Sequence, residues 1–224
     1  MPAKIATPDR RWKILIVDDH PIVRHGLHQL LANEPDIEVC GEASTVAETL
    51  QKAQATDPDL AILDVSLGDE DGLTLIKDLK LQNPGIKILV SSIHREDKLA
   101  PRVMRLGAAG YIEKRHAIGK ILEAVRCILR GEIYVSPELS QRAINLAYRG
   151  EEDPPDDLSA ILSAREFEVF EGLGRGETVR HIAKAMGISP GTVESYRKKI
   201  KEKLQLRTSA ELSFRAFSWV HDHE

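Results

Sequence analysis

The chain has 224 residues, 42% hydrophobic and 29% charged, with a formal net charge of −4, and these values describe an ordinary globular protein of one large or two small domains. No stretch approaches the roughly 18 uninterrupted apolar residues of a membrane span, and the first twelve residues, MPAKIATPDRRW, lack the apolar core of a signal peptide. Cys40 and Cys127 are therefore read as buried, reduced thiols in a cytoplasmic protein, a disulfide between them being the alternative.

In chain order, KILIV (13–17), IEVC (37–40), LAILDV (60–65), IKILVS (86–91) and GYI (110–112) read as strands. Amphipathic stretches at about 21–33, 45–56, 71–82, 95–106 and 116–130 read as helices. Strands alternating with helices imply right-handed βαβ units and a parallel sheet covered on both faces. Five of each predict an α/β flavodoxin-like, doubly wound domain over 12–131, with its active site at the carboxyl ends of the central strands. Ser136-Pro137 caps a further helix running to about Tyr148. GEEDPPDD (150–157) has nothing to bury and reads as an exposed linker, so 132–157 joins two domains.

From 158 to 224 the pattern is all helical, with helices at about 163–173, 178–186, 190–204 and 208–220. Ser163 and Glu166 have capping-box spacing, Gly187 ends the second helix, and Ser189-Pro190 opens the third. This predicts a small all-α helix-turn-helix domain. The segment carries 11 Lys+Arg against 9 Asp+Glu, leaving 20 against 26 for the rest, and RKKIKEK (197–203) concentrates the bases.

Asp18 and Asp19 end the first strand and Asp64 ends the core of the third, so a parallel sheet brings three carboxylates into one crevice. Desolvating such a cluster costs several kcal/mol without a positive partner, and Mg²⁺ suits an oxygen-only, partly hydrated site. Ser91-Ser92 ends the fourth strand and Lys114 follows the fifth, adding a hydroxyl and an ammonium suited to phosphoryl oxygens. A carboxylate can itself be the nucleophile, giving an aspartyl phosphate. Singly, these residues read as turn caps and a solvated lysine. Their order along strands one, three, four and five carries the functional reading.

Residues 12–131 resemble the receiver domain of bacterial two-component response regulators of the NarL/FixJ type, through ILIVDDHPIVRHGL, LAILDVSLGDEDGLTLI, IKILVSSIHRED and LGAAGYIEK. The resemblance implies that Asp64 accepts phosphate from a histidine kinase. Asp18, Asp19, Asp64 and the backbone carbonyl of Ser66 would then hold Mg²⁺. Ser92 is the implied switch hydroxyl, Lys114 the phosphate-pairing base, and Tyr111 the aromatic that turns inward, a half-buried strand aromatic being its other reading. Gly68 and Ile93 depart from the family's usual proline and small residue, which bears on phosphoryl lifetime, and His94 is read as a tuner of hydrolysis. The protein is expected to be no enzyme beyond its own phosphorylation and slow dephosphorylation.

In the third C-terminal helix, Val193, Tyr196, Ile200 and Leu204 form the inward stripe. Residues 162–212 are similar to the LuxR-type output domain. The resemblance points Glu194, Ser195 and Lys198 at base edges, and Thr192, Arg197 and Lys201 at phosphates of a double-stranded operator. It also implies homodimerisation on phosphorylation through Leu212, Phe214, Phe217 and Trp219, packing inside the domain being the alternative for part of that surface. The reading is a DNA-binding response regulator with no membrane partner. A phosphorylation-independent DNA-binding regulator that uses its receiver as an interaction module is the alternative. A Mg²⁺-dependent phosphohydrolase would need an acid at position 66, which is serine.

Overall fold

The computed structural model describes residues 10–222, apart from 69, 71, 94, 115–118, 150–157 and 159–160. The expectations for His94 and for the acidic linker at 150–157 fall outside the described residues. The chain divides into two compact units, Met1–Pro154 and Pro155–Glu224.

In the first unit, β1 (Trp12–Val17), β2 (Ile37–Ala43), β3 (Leu60–Leu63), β4 (Lys87–Ser92) and β5 (Gly110–Glu113) form one sheet in the order β2-β1-β3-β4-β5, every pair parallel. Helices α1 (Pro21–Ala32), α2 (Val46–Thr56), α3 (Gly72–Gln82), α4 (Glu96–Arg105) and α5 (Gly119–Leu129) connect and follow the strands, and α6 (Pro137–Arg149) comes after them. The central strands are apolar throughout because both faces are covered, and Ile14, Leu15, Ile16, Leu60 and Leu63 are fully buried. Strand order reverses at β1, where successive connections leave in opposite directions and open a crevice at the carboxyl ends of β1 and β3. Val17 pairs with Leu63 in register, so Asp18 and Asp64 emerge side by side.

The segment after α5 runs along the free edge of β5. Tyr134 bridges Gly110 in parallel sense, and the Tyr111 amide donates to the Tyr134 carbonyl at 2.8 Å. Gly110 permits this approach, since a Cβ there would lie 2.8 Å from the Tyr134 carbonyl oxygen and 2.7 Å from Ile128 Cδ1.

The second unit is helical over its described residues, with α7 (Ala164–Gly174), α8 (Val179–Met186), α9 (Pro190–Lys203) and α10 (Ser209–Asp222). Ser163 and Glu166 form the expected capping box, and Lys203 reaches the same glutamate at 2.6 Å. Gly187 closes α8 at φ +68°, in the left-handed region that favours glycine, and Ser189 caps α9 with Pro190 in its first turn. Phe167, Phe170 and Trp219 meet edge to face around a core that includes Val193, Tyr196, Ile200 and Leu212. Among the described residues no helix is long and apolar enough to cross a membrane. Cys40 and Cys127 are free thiols, half-buried rather than buried as expected, Cys40 lying on β2, the edge strand of the sheet.

Candidate functional site

The ends of β1, β3, β4 and β5 deliver the functional groups. The Asp64 amide donates to the Val17 carbonyl at 2.8 Å, which prolongs the β1–β3 ladder and sets both aspartates at its mouth. Lys114 follows β5, and its amide donates to the Ser92 carbonyl at 2.7 Å. Its ammonium lies 2.6 Å from Asp18 Oδ2 and 2.6 Å from Asp64 Oδ2. Asp18 and Asp64 are buried, at 2% and 3% exposure.

Two buried carboxylates and the partly exposed Asp19 face this lysine, which leaves an excess of negative charge in a desolvated place. Burial pushes the Asp64 carboxyl above the usual carboxylate range, with the Lys114 ammonium pulling the other way and the Asp18 charge adding to the rise. Burial alone would lower the Lys114 ammonium, but Asp64 and Asp18 outweigh it and hold this group above the usual lysine value. One ammonium does not balance the cluster.

Asp18, Asp19, His20 and Asp64 each present a ligand atom within 4.8 Å of the others. Asp19 Oδ1 is buried and accepts no hydrogen bond, although the His20 Nδ1 approaches it at 2.6 Å as an ion-pair contact when protonated. Three carboxylates gathered against one ammonium fit a hard divalent cation such as Mg²⁺. Ser66 is buried two residues beyond Asp64, and its amide donates to Asp64 Oδ1 at 2.8 Å, which turns this loop back over the carboxylate.

Gly68 lies at φ +53° and its amide donates to Asp19 Oδ2 at 3.1 Å. Proline could adopt neither that conformation nor that donation, so the departure from the family's proline supplies a hold on Asp19. Ser92 is fully buried, and Tyr111 is 1% exposed with its hydroxyl hydrogen-bonded to Ser92. Burial raises the Tyr111 phenol above its usual range, so it stays neutral. The aromatic is inward rather than half-buried. Ile93 is 56% exposed and stands away from the buried groups.

The sequence reading missed two members of this site. The Arg24 guanidinium donates to the Asp18 carbonyl at 2.7 Å and so pins the loop that carries both acids. His20 donates its amide to Asp18 Oδ1 at 2.8 Å. The signal for both lay in DDHPIVR, where the first turns of α1 fold back against the strand that precedes them.

On the second unit, the outer face of α9 carries Glu194, Ser195, Lys198 and Lys199 as exposed residues. Thr192, Arg197 and Lys201 are half-buried. Arg197 pairs with Glu194 at 2.6 Å, and the Ser195 hydroxyl donates back to the Gly191 carbonyl at 3.1 Å. Lys198 is 79% exposed and lies 3.9 Å from Glu202. The four residues expected to dimerise divide. Leu212 and Trp219 are buried in the core of their own domain, because they fall on the inward stripe with Ala216 and Val220. Phe214 and Phe217 occupy the other face of α10 and are 73% and 52% exposed.

Residues 14–126 match the family model described as the response regulator receiver domain, and residues 160–216 match that of the bacterial regulatory proteins of the luxR family. The chain is similar to the response regulator GacA of Pseudomonas protegens, at 31% identity over 204 residues covering 91% of this chain and 94% of that one. It is similar also to the response regulator UvrY of Escherichia coli strain K12, at 30% identity over 200 residues covering 89% and 91%. Among solved structures, the RcsB response regulator of Salmonella typhimurium superposes with a TM-score of 0.57 at 27% identity over 93% of this chain and 98% of that one. RcsB from Salmonella enterica serovar Typhimurium, bound to promoter rprA in the presence of phosphomimetic BeF3−, superposes with a TM-score of 0.55 at 26% identity over 91% and 97%.

Proposed function

This chain belongs to the response regulators that join a receiver domain to a LuxR-type DNA-binding domain, and on that premise we propose that Asp64 is the residue whose phosphorylation controls its binding to DNA. The observation that carries the assignment is the Lys114 ammonium at 2.6 Å from both Asp18 and Asp64 in a desolvated crevice with an excess of carboxylates. The donor is the phosphohistidine of a histidine kinase. The Asp64 carboxylate oxygen attacks phosphorus, the P–O bond forms as the P–N bond breaks, and the electron pair leaves on the imidazole, which takes up a proton from water.

Asp18, Asp19, Asp64 and the Ser66 carbonyl would hold Mg²⁺, which when bound would supply positive charge to the phosphoryl oxygens. Lys114 pairs with a second oxygen of the phosphoryl group, trading its present contact with Asp64 for one with the product. Ser92 donates its hydroxyl to a third oxygen, and Tyr111 follows because its own hydroxyl is bonded to Ser92. The chain is otherwise no catalyst, acting only in its own phosphorylation and slow dephosphorylation. It is a cytoplasmic protein.

DNA meets α9, the second helix of the helix-turn-helix, with Glu194, Ser195 and Lys198 toward base edges and Thr192, Arg197 and Lys201 toward phosphates. Dimerisation on a two-fold operator uses the exposed Phe214 and Phe217 of α10. The DNA-bound relative supports this reading by its likeness over both domains.

The test is mobility shift on a selected operator, with and without acetyl phosphate and Mg²⁺. Tighter binding with the phosphodonor in wild type, and no response in Asp64→Asn, is the expected result. Equal binding with and without phosphodonor would favour a regulator that works without phosphorylation.

A further inference from the structure

Helix α4 starts without a cap of its own. Arg95 at its N-cap offers no side-chain acceptor to the backbone amides of the first turn, its guanidinium donating instead to the Asp97 carboxylate at 2.9 Å. Pro101 lies inside the helix and has no amide to offer the Asp97 carbonyl four residues back. The missing cap comes from the sheet: the Glu96 amide donates to Glu113 Oε1 at 2.8 Å, and Glu113 is only 6% exposed on β5. Glu113 lies between Tyr111 and Lys114, so the strand that holds the phosphoryl-sensing groups also holds the start of α4.

The arrangement repeats one step outward. Glu96 turns its own carboxylate to the start of α6, and its Oε1 accepts the Ser136 amide at 2.8 Å. Ser136 is the N-cap of α6, with its hydroxyl accepting the Leu139 amide at 3.2 Å. The chain reaches this point by running along β5, where Tyr134 bridges Gly110. A cavity of about 500 Å³, lined by Arg95, Glu96, Glu113, Ser136, Leu139 and Arg142, lies where α4, β5 and α6 meet.

We propose that Glu113, Glu96 and Ser136 form a relay of two successive caps that transmits a shift of β5 and α4 to α6, the helix leading to the DNA-binding unit. Glu96 is the positioning residue of this relay, since its amide is held by the switch strand while its carboxylate holds the output helix. The inference rests on phosphorylation at Asp64. A change at Ser92, Tyr111 and Lys114 moves β5, Glu113 carries the start of α4 with it, and Glu96 either keeps or releases the Ser136 amide. A cap of this kind is binary, because hydrogen bonding to an amide falls away steeply with distance and angle.

Hydrogen exchange on the full chain, with intact mass in parallel, tests the relay. Wild type, Glu96→Ala and Glu96→Gln are each measured before and after acetyl phosphate and Mg²⁺. All three are expected to take up one phosphoryl group at similar rates, because Glu96 touches none of the reacting atoms. In Glu96→Ala the first turn of α6 should exchange about fivefold faster at rest, the effect of losing one cap. A merely structural cap would give the same change, so the deciding readout is the response to phosphorylation.

In wild type, phosphorylation should alter exchange in both α4 and the first turn of α6. In Glu96→Ala it should alter α4 alone, and Glu96→Gln, which keeps an acceptor oxygen, should restore part of the α6 response. An adduct on all three proteins with an α6 response as large in Glu96→Ala as in wild type overturns the relay while leaving the phosphoacceptor intact. Absence of any adduct on wild type would overturn the phosphoacceptor assignment, and the relay with it.

Discussion

In the receiver crevice, Asp18 and Asp64 are almost fully buried and share one ammonium at 2.6 Å, whereas on the outer face of α9 Lys198 stands in solvent and reaches Glu202 only at 3.9 Å. Both sites are charged, but the free energies are distributed differently. Burial makes the crevice costly to build, so its residues are locked by backbone and side-chain bonds and their chemistry can be read from geometry. The α9 face costs little to build and is organised mainly by the helix beneath it. Its ion pairs are screened and worth little until DNA replaces solvent. The receiver therefore declares its function in its resting structure, and the DNA-binding unit declares only which face is available.

This contrast can be broken by substitution. Leu212→Ala, in the core of the second unit, should cost about 3 kcal/mol in a denaturant melt of that unit, while Phe214→Ala on the opposite face of the same helix should stay within about 0.5 kcal/mol. Equal costs would mean that the α10 helix is not divided as described. Lys114→Ala, which leaves Asp18 and Asp64 without their ammonium, should destabilise the first unit by about 2–3 kcal/mol. Addition of Mg²⁺ should recover part of that loss, a recovery that differential scanning fluorimetry would detect.

A finer effect concerns pH. The Asp64 carboxyl is raised above 3.8, so its protonated form favours folding: this contribution is fully present below that value and is lost as pH rises through the raised one. In metal-free buffer the stability of Asp64→Asn relative to wild type should therefore grow as pH rises above 3.8. A flat difference would place Asp64 in an unperturbed environment. Smaller again in its effect on folding is Lys198→Ala, for which no change in melting is expected. Affinity for operator should nevertheless fall about tenfold, and discrimination at the base pair it faces should relax.

Much of this was legible in the sequence for a physical reason. Strands buried on both faces write themselves as apolar runs, so β1, β3 and β4 were visible from Ile14–Val17, Leu60–Leu63 and the run ending at Ser92. The acids were visible because a carboxylate directly after such a run is anomalous. Strand β2 was shortened to 37–40 because Gly41-Glu42-Ala43 carries no apolar pattern, yet it pairs with Leu15–Val17 through backbone bonds alone. Glu113 and Glu96 could not be found, since a glutamate that caps a helix 17 residues away, or 40, has no local signature. Which part of α10 packs inward was legible but not read out: 212, 216, 219 and 220 follow the helical period, and 214 and 217 do not share it.

The account stands or falls on whether the buried acid beside Lys114 accepts a phosphoryl group. Intact mass after incubation with acetyl phosphate and Mg²⁺, wild type against Asp64→Asn, measures this directly. A single phosphoryl adduct on wild type, absent from Asp64→Asn and from wild type in chelator, is the predicted result. An adduct of equal size on Asp64→Asn would contradict it, by moving the phosphoacceptor out of the crevice that Asp18, Asp19 and Lys114 enclose.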